Sequence, residues 1–307
     1  MTPSSPMYRQ RRPLWSYPLF QIPLILLTGC LLLALLFTLL GWGRPSVAVV
    51  LSLDLSGSTF GDNPLQFNQP QTVMAQQVAA AKLYLQRNQR ELANPNAIMI
   101  HGFGRNVVFL TPRFETKADV LLTQLDQALN RSDLLAQVDP SATNLSGAIA
   151  TATQQLQQVS NRCRELLIIT DGAAPVDTAV VTSAQGQGIK INAIVVGEYA
   201  PQLAAATQAT GGQYRSGTTA LLEELVSRTF FENINTNARW SIFWLGLALV
   251  CLMWVLVLPL DRWLLQGLLQ LPMNLSGQLA LGNAFFWTVA IPIVLWRFPG
   301  WPFLSGC

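Results

Sequence analysis

Charge is scarce in this 307-residue chain: Asp, Glu, Lys and Arg together make up 11% of it, against about 25% in soluble globular proteins. The shortage is local. Pro13 to Gly43 holds no charged residue, nor does Trp240 to Leu260, and after Asp261 and Arg262 the next is Arg297. From Arg44 to Arg239 the balance is ordinary, with fourteen Lys and Arg against fifteen Asp and Glu. The formal net charge of +3 therefore comes from the chain ends, and no basic face is indicated of the kind nucleic-acid binding needs. Histidine occurs once, at His101, so no histidine pair exists for zinc; a lone histidine at a strand end reads as a packing or edge residue. The four cysteines, Cys30, Cys163, Cys251 and Cys307, show no Cys-x-x-Cys spacing. That argues against a disulfide framework or a zinc site, and Cys163 is expected to be a free thiol. No Gly-x-Ser-x-Gly elbow occurs, so serine-hydrolase chemistry lacks its signature. Gly102-Phe103-Gly104 lacks the third glycine of a dinucleotide loop, because Val107 stands there. With no nucleotide-binding loop, any ATPase activity must come from a partner. The expectation is a protein that is not an enzyme.

Long apolar runs are what the chain has instead. Residues 1–18 form a polar, arginine-bearing tail with Arg9, Arg11 and Arg12, and residues 19–42 are 24 uncharged residues, enough to span a bilayer with some tilt. Trp15, Tyr17 and Trp42 lie near the two ends of this run, as interfacial aromatics do. A cleaved signal peptide would have a shorter apolar core. Leu27-Thr28-Gly29-Cys30 is similar to a lipoprotein cleavage box, yet ten more apolar residues follow Cys30. A second span is expected at 240–260, an interfacial segment at 263–273, and a third span at 275–296, interrupted by Pro292. Three arginines before the first span favour a cytoplasmic N-terminus. If all three segments cross, the region between the first two lies beyond the membrane, Asp261-Arg262 is cytoplasmic and Cys307 is external. The expected location is a bacterial plasma (inner) membrane, with that region extracytoplasmic.

Between the spans, residues 46–230 alternate strand and helix patterns. Val47 to Leu53 is a continuous apolar run, as for a strand covered on both faces. Met74, Val78, Ala81 and Leu85 recur at helical spacing over Thr72 to Arg90. Ala97 to Ile100 and Val107 to Leu110 flank a glycine turn and predict a hairpin with an antiparallel edge strand. Thr116 to Asp119 has capping-box character before a helix carrying Leu121, Leu122, Leu125 and Leu129. A polar loop over 130–142 precedes a helix through Leu145, Ile149, Ala152 and Leu156. Strands at 165–170 and 189–196, helices at 178–185 and 201–210, a glycine stop at Gly211-Gly212, a short strand near 213–215 and a last helix at Leu222 to Val226 complete the pattern. A polar link follows over 230–239. The prediction is an α/β fold with a doubly wound, mostly parallel open sheet, one antiparallel edge strand, and transmembrane helices. Ligands in such sheets sit beyond the carboxyl ends of strands, at the switch point. Asp54 and Asp171 both fall at strand ends of that kind.

The first of these ends carries Asp54, Ser56 and Ser58, three oxygen ligands within five residues. Hard cations such as Mg²⁺ take such ligands and keep part of their water. Asp54-Leu55-Ser56-Gly57-Ser58 resembles the metal-ion-dependent adhesion site (MIDAS) of the von Willebrand factor type A (VWA) family, an Asp-x-Ser-x-Ser run followed by a distant threonine and an aspartate. Thr143, just before a predicted helix, and Asp171, in Ile168-Ile169-Thr170-Asp171-Gly172, stand in the expected order. Lys190 to Gly197 followed by Leu203 to Tyr214 is similar to that family's closing strand, helix and Gly-Gly-x-Tyr segment. The resemblance covers roughly residues 46–230 and implies a Rossmann-like fold. It further implies that Ser56 and Ser58 bind a cation directly, that Thr143 binds directly or through water, and that Asp54 and Asp171 act largely through water. Mg²⁺ is the implied cofactor, with Mn²⁺ or Ca²⁺ as alternatives. The implied function is capture of a protein partner whose Asp or Glu completes the metal shell. The alternative is a scaffold or assembly subunit of a membrane complex working with a partner ATPase, resembling bacterial membrane proteins that hold this domain between spans. Glu198 and Asp62 could line the same rim but read as solvated residues.

Overall fold

A computed structural model of the chain describes residues 13–61, 63–67, 69–197, 199–298 and 301–303. Arg9, Arg11, Arg12, Asp62, Glu198 and Cys307 lie outside the described residues. The chain divides into two units: residues 45–236, and residues 1–44 together with 237–306.

The order of elements follows the alternation of the sequence. Helix α1 (Pro18–Leu40) belongs to the second unit. The first unit runs β1 (Val47–Asp54), α2 (Val73–Glu91), β2 (Ala97–Phe103), β3 (Val107–Phe109), α3 (Ala118–Leu129), α4 (Leu134–Val138), α5 (Leu145–Gln157), β4 (Cys163–Thr170), α6 (Thr178–Gly186), β5 (Ile189–Val196), α7 (Pro201–Ala209), β6 (Tyr214–Gly217), α8 (Leu222–Glu224) and α9 (Phe231–Ile234). The second unit resumes with α10 (Ala238–Val255), α11 (Val257–Pro259) and α12 (Met273–Arg297).

The six strands form one sheet in the order β3-β2-β1-β4-β5-β6. All pairings are parallel except β2 with β3. Strand β1 is buried along its whole length because helices cover both faces, which is why its sequence reads as a run and not an alternation. Its odd-numbered residues Val47 to Leu53, and Leu55 just past its end, pack with α2 and α3, whose Met74, Val78, Leu85, Leu121 and Leu125 complete one core. Ala48 and Val50 face the other core, which holds Leu145, Ile149 and Leu156 of α5 and Leu203 of α7. The chain leaves β1 toward β2 and later returns on its other side as β4. The crevice at the carboxyl ends of β1 and β4 is therefore the switch point.

Several expectations meet corrections here. Thr116 does not cap α3: the N-cap residue is Lys117, which makes no side-chain cap bond, and Glu115 Oε1 accepts from Thr116 N at 2.7 Å and Lys117 N at 3.3 Å just ahead of the helix. The 130–142 loop contains the five-residue helix α4, and the polar link begins later than 230. A π-helical turn at Leu225–Phe230 joins α8 to α9, and Phe230, Phe231 and Ile234 are buried in the core. Cys163 is disulfide-bonded, not free; spacing along the chain says little about which cysteines meet in space. Gly212 is fixed by close approach, since a Cβ there would lie 2.0 Å from the Ile191 carbonyl oxygen. His101 is buried within β2, and burial pushes its pKa down to about 3, so it is neutral.

Among the described residues of the second unit, three helices are long and apolar enough to cross a membrane: Pro18–Leu40, Ala238–Leu268 and Met273–Arg297. Pro292 does not break the last of them, which is continuous. The middle one does not stop at Leu260. It continues through a π-helical segment, Leu260–Leu268, to a length of 31 residues. At 1.5 Å per residue this is about 45 Å, against about 30 Å of hydrocarbon, so the stretch with Asp261 and Arg262 extends past an apolar slab. Gly246 sits where α10 meets α12; a Cβ there would lie 2.8 Å from Leu295 Cδ1.

Candidate metal centre

Three loops converge at the switch point. The first leaves β1 at Asp54, whose carboxylate is fully buried. Asp54 Oδ1 accepts from Ser56 N at 2.9 Å and from Ser56 Oγ at 2.6 Å. Its Oδ2 accepts from Thr170 Oγ1 at 2.5 Å. Ser56 Oγ lies 3.1 Å from Ser58 Oγ, and Ser58 Oγ donates to Asp171 Oδ1 at 2.8 Å. Four of the five expected residues thus form one hydrogen-bonded chain, Asp54–Ser56–Ser58–Asp171, and Thr170 anchors its first member. The register explains the anchor. Leu53 of β1 pairs with Ile169 of β4, so the next residues along, Asp54 and Thr170, lie side by side.

Thr143, the fifth, is not in that chain. It stands beside Gly172, where a Cβ would lie 3.9 Å from both Thr143 Oγ1 and Thr170 Oγ1. Its loop is clamped to the β2–β3 turn. Arg105 N donates to Asp139 O at 2.8 Å, Asn106 N to Val138 O at 3.0 Å, and Asn144 N to Gly104 O at 2.8 Å. Gly57 N, from the first loop, donates to Pro140 O at 2.9 Å. Arg105 Nε pairs with Asp139 Oδ2 at 2.7 Å and its Nη2 reaches Ser141 Oγ at 2.9 Å. Asn144 then caps α5 by accepting from Gly147 N at 2.8 Å. On the outer side Thr143 lines a cavity of about 550 Å³ with Arg105, Asn144, Ser146, Asp177 and Gln202.

The electrostatics are one-sided. Burial is the largest influence on Asp54 and pushes its pKa up to about 6; the hydrogen bonds from Ser56 and Thr170 oppose it, and nearby Asp171 adds to it. Burial also raises Asp171. Among the described residues neither carboxylate has a Lys or Arg partner. No group of three or more His, Cys, Asp or Glu occurs among them either. The donor set is two carboxylates and three hydroxyls, all oxygen, which fits a hard divalent cation and no soft one. Ser58 is exposed and Asp171 and Thr143 are half-buried, so the set opens outward.

Two participants carried little signal in the sequence. Thr170 precedes the expected Asp171, and its hydroxyl serves both Asp54 and Gly172 N, the latter at 3.1 Å. Gln77, buried on the inner face of α2, accepts from Asp54 N through Oε1 at 3.0 Å. A glutamine three residues on from Met74 on an apolar stripe was the one sign available.

Residues 71–216 match the family model for the von Willebrand factor type A domain. The match includes Thr143 and Asp171 and begins after the first loop. A von Willebrand factor type A structure from Catenulispora acidiphila is similar at 15% identity and a TM-score of 0.48, over 62% of this chain and 43% of that one. The conserved hypothetical protein BatB from Bacteroides thetaiotaomicron is similar at 15% identity and 0.45, over 62% and 98%. Proximal thread matrix protein 1 from the mussel byssus, with a zinc-occupied MIDAS motif, is similar at 11% and 0.47, over 62% and 48%. The likeness is one of backbone course, and the chain spans under half the length of the first and third of these structures. No curated protein matches the sequence. The family match over residues 71–216 and the parallel sheet with its single antiparallel edge give the α/β unit of this chain a von Willebrand factor type A-like fold.

Proposed function

We propose that the chain is a membrane-anchored binding protein whose VWA domain captures a partner protein through a divalent cation. The observation that carries this is the hydrogen-bonded chain Asp54–Ser56–Ser58–Asp171, with Thr143 beside it and, among the described residues, no Lys or Arg paired with either carboxylate. Ser56, Ser58 and Thr143 hold the cation, and Asp54 and Asp171 orient its remaining shell. A cation held mostly by neutral oxygens keeps net positive charge and is a Lewis-acidic acceptor for one more carboxylate. An Asp or Glu of the partner supplies it. Mg²⁺ suits the mixed shell. The domain's own residues exclude water from Asp54, fix the serine hydroxyls through that carboxylate, and keep Ser58 open to the partner. The role is binding and not catalysis; the single histidine is buried in β2 and is not available as a base at the rim.

The three apolar helices support a membrane anchor. The Cys163 disulfide supports an extracytoplasmic domain, because disulfides persist in oxidising compartments. Titration calorimetry of the full chain in detergent tests the function. Mg²⁺ and Mn²⁺ bind the wild type with one-to-one stoichiometry, and Asp54→Ala shows no binding. Equal affinity in both proteins overturns the proposal.

Having three candidate spans where one would anchor a domain favours a second role as a subunit of a membrane complex. Affinity purification separates the two. Partners lost in chelator bind through the cation, and partners retained bind elsewhere on the chain.

A further inference from the structure

We propose that Cys30 and Cys251 form a dithiol–disulfide pair inside the membrane, joining α1 to α10. Both are free thiols, one midway along α1 and one in α10. The two helices run antiparallel in a register fixed at both ends. At one end Phe37 stacks on Trp240 with centroids 5.1 Å apart, Thr38 Oγ1 lies 3.1 Å from Ser241 Oγ, and Asn237 Nδ2 donates to Phe37 O at 2.5 Å. At the other end the Arg262 guanidinium lies over the Tyr17 ring at 4.8 Å. Eight residues back from Thr38 lead to Cys30, and ten on from Ser241 lead to Cys251; these are about 12 Å and 15 Å of helix. Counted from the other end, thirteen residues from Tyr17 and eleven from Arg262 are about 20 Å and 17 Å. Both counts place Cys251 about 3 Å nearer the Tyr17–Arg262 end than Cys30, an offset that a cysteine side chain spans, so the two sit at one level of the helix pair. The Cys251 thiol accordingly has the Cys30 thiol as its hydrogen-bonding neighbour.

The surroundings select the chemistry. Both helices are apolar over this depth. Thiolates and thiolate–metal complexes carry charge, which hydrocarbon disfavours, whereas dithiol and disulfide are both neutral. The oxidant must itself dissolve in the bilayer, and its chemical class is a quinone. Two S–H bonds break, one S–S bond forms, and two electrons and two protons pass to the quinone, giving the hydroquinone. Closure ties together the helices that flank the VWA domain in sequence. The mobility of its two chain ends then depends on the redox state of the membrane.

The inference rests on α1 and α10 being membrane spans, which resistance of the chain to alkaline carbonate extraction checks separately. The test uses the full chain in phosphatidylethanolamine–phosphatidylglycerol vesicles, a short-chain ubiquinone as oxidant, and maleimide–polyethylene glycol to count free thiols after denaturation. Wild type shows two reactive thiols before quinone, none after, and two again after mild reduction, all as monomer. Cys30→Ser shows one thiol that quinone leaves unchanged. Two thiols persisting after quinone, cross-linked dimers in place of closed monomer, or equally fast closure by aqueous hydrogen peroxide without quinone would each overturn the proposal.

Discussion

Gly104→Ala destabilises the VWA domain by about 3 kcal/mol and weakens Mg²⁺ binding at least as much as Thr143→Ala does. A Cβ at residue 104 would lie 2.7 Å from the Asp139 carbonyl oxygen and 3.0 Å from that of Val138. Both contacts are backbone, so neither can swing aside. The same carbonyls accept from Arg105 N and Asn106 N, and Gly104 O accepts from Asn144 N. Moving the turn outward therefore loosens three hydrogen bonds together with the clash. Overpacking costs about 1–3 kcal/mol and each lost bond about 1 kcal/mol, and partial relaxation brings the total to about 3. The loop that shifts is the one carrying Thr143. Thermal melts and Mg²⁺ titrations of the full chain in detergent measure both effects. Gly186→Ala is the control, because nothing lies within 4 Å of its Cβ position; Ala is the better helix former, so it leaves melting unchanged or raises it. In Gly104→Ala/Thr143→Ala the two losses of affinity do not add, since both act through one hydroxyl. Wild-type melting and Mg²⁺ affinity in Gly104→Ala would show that the turn does not position Thr143.

How far the sequence reveals this arrangement depends on where each residue's partners lie. The sheet was legible because burial on both faces writes itself into runs such as Val47 to Leu53. Asp54 and Asp171 were legible because strand ends at a switch point are where polar residues otherwise have no reason to follow an apolar run. The clamp on Thr143 was not. Gly102-Phe103-Gly104 reads as a turn, but Gly102 and Phe103 pair within β2 and the turn is Gly104 to Asn106; the closeness of that turn to Val138 and Asp139 comes from packing across the carboxyl edge of the sheet, between segments over thirty residues apart. The absence of a side-chain cap on α3 was hidden by Thr116, whose type is favoured at such positions but which stands one residue ahead of the actual N-cap, Lys117. The extension of the last domain helix to Ile234 was masked by Glu232, Asn233 and Asn235, polar residues that gave the stretch the look of a link while Phe230, Phe231 and Ile234 enter the core.

The buried carboxylate that the sequence does show gives the second large effect, a dependence of stability on pH that the cation removes. In chelator, Asp54 has a folded pKa of about 6 against an ordinary 3.8. Between these values the folded domain holds a proton that the unfolded chain has released. The stabilisation is thus fully present below about pH 4 and is lost as pH rises through about 6. A shift of about two units corresponds to about 3 kcal/mol. Asp171, also raised by burial, contributes with the same sign, while His101, pushed down to about 3 by burial, contributes with the opposite one over pH 3 to 6.5. The absolute curve mixes these, so the quantity to measure is the difference in unfolding free energy between wild type and Asp54→Asn. The asparagine keeps the shape and one acceptor and carries no charge. With chelator, wild type loses about 3 kcal/mol relative to Asp54→Asn between pH 4 and 7. With Mg²⁺ at 100 times its dissociation constant, wild type regains about 2.7 kcal/mol at pH 7, and that gain shrinks below pH 6 as protons compete for the same carboxylates. Asp54→Asn gains nothing at any pH. Parallel curves for the two proteins in chelator would mean that Asp54 is not held at the cost of its charge. An Mg²⁺ gain that survived to pH 4 would mean that the cation sits away from Asp54. The expected crossing at about pH 6 follows from the geometry: among the described residues the carboxylate at the end of β1 has only neutral donors around it, and a bound cation would supply the opposite charge.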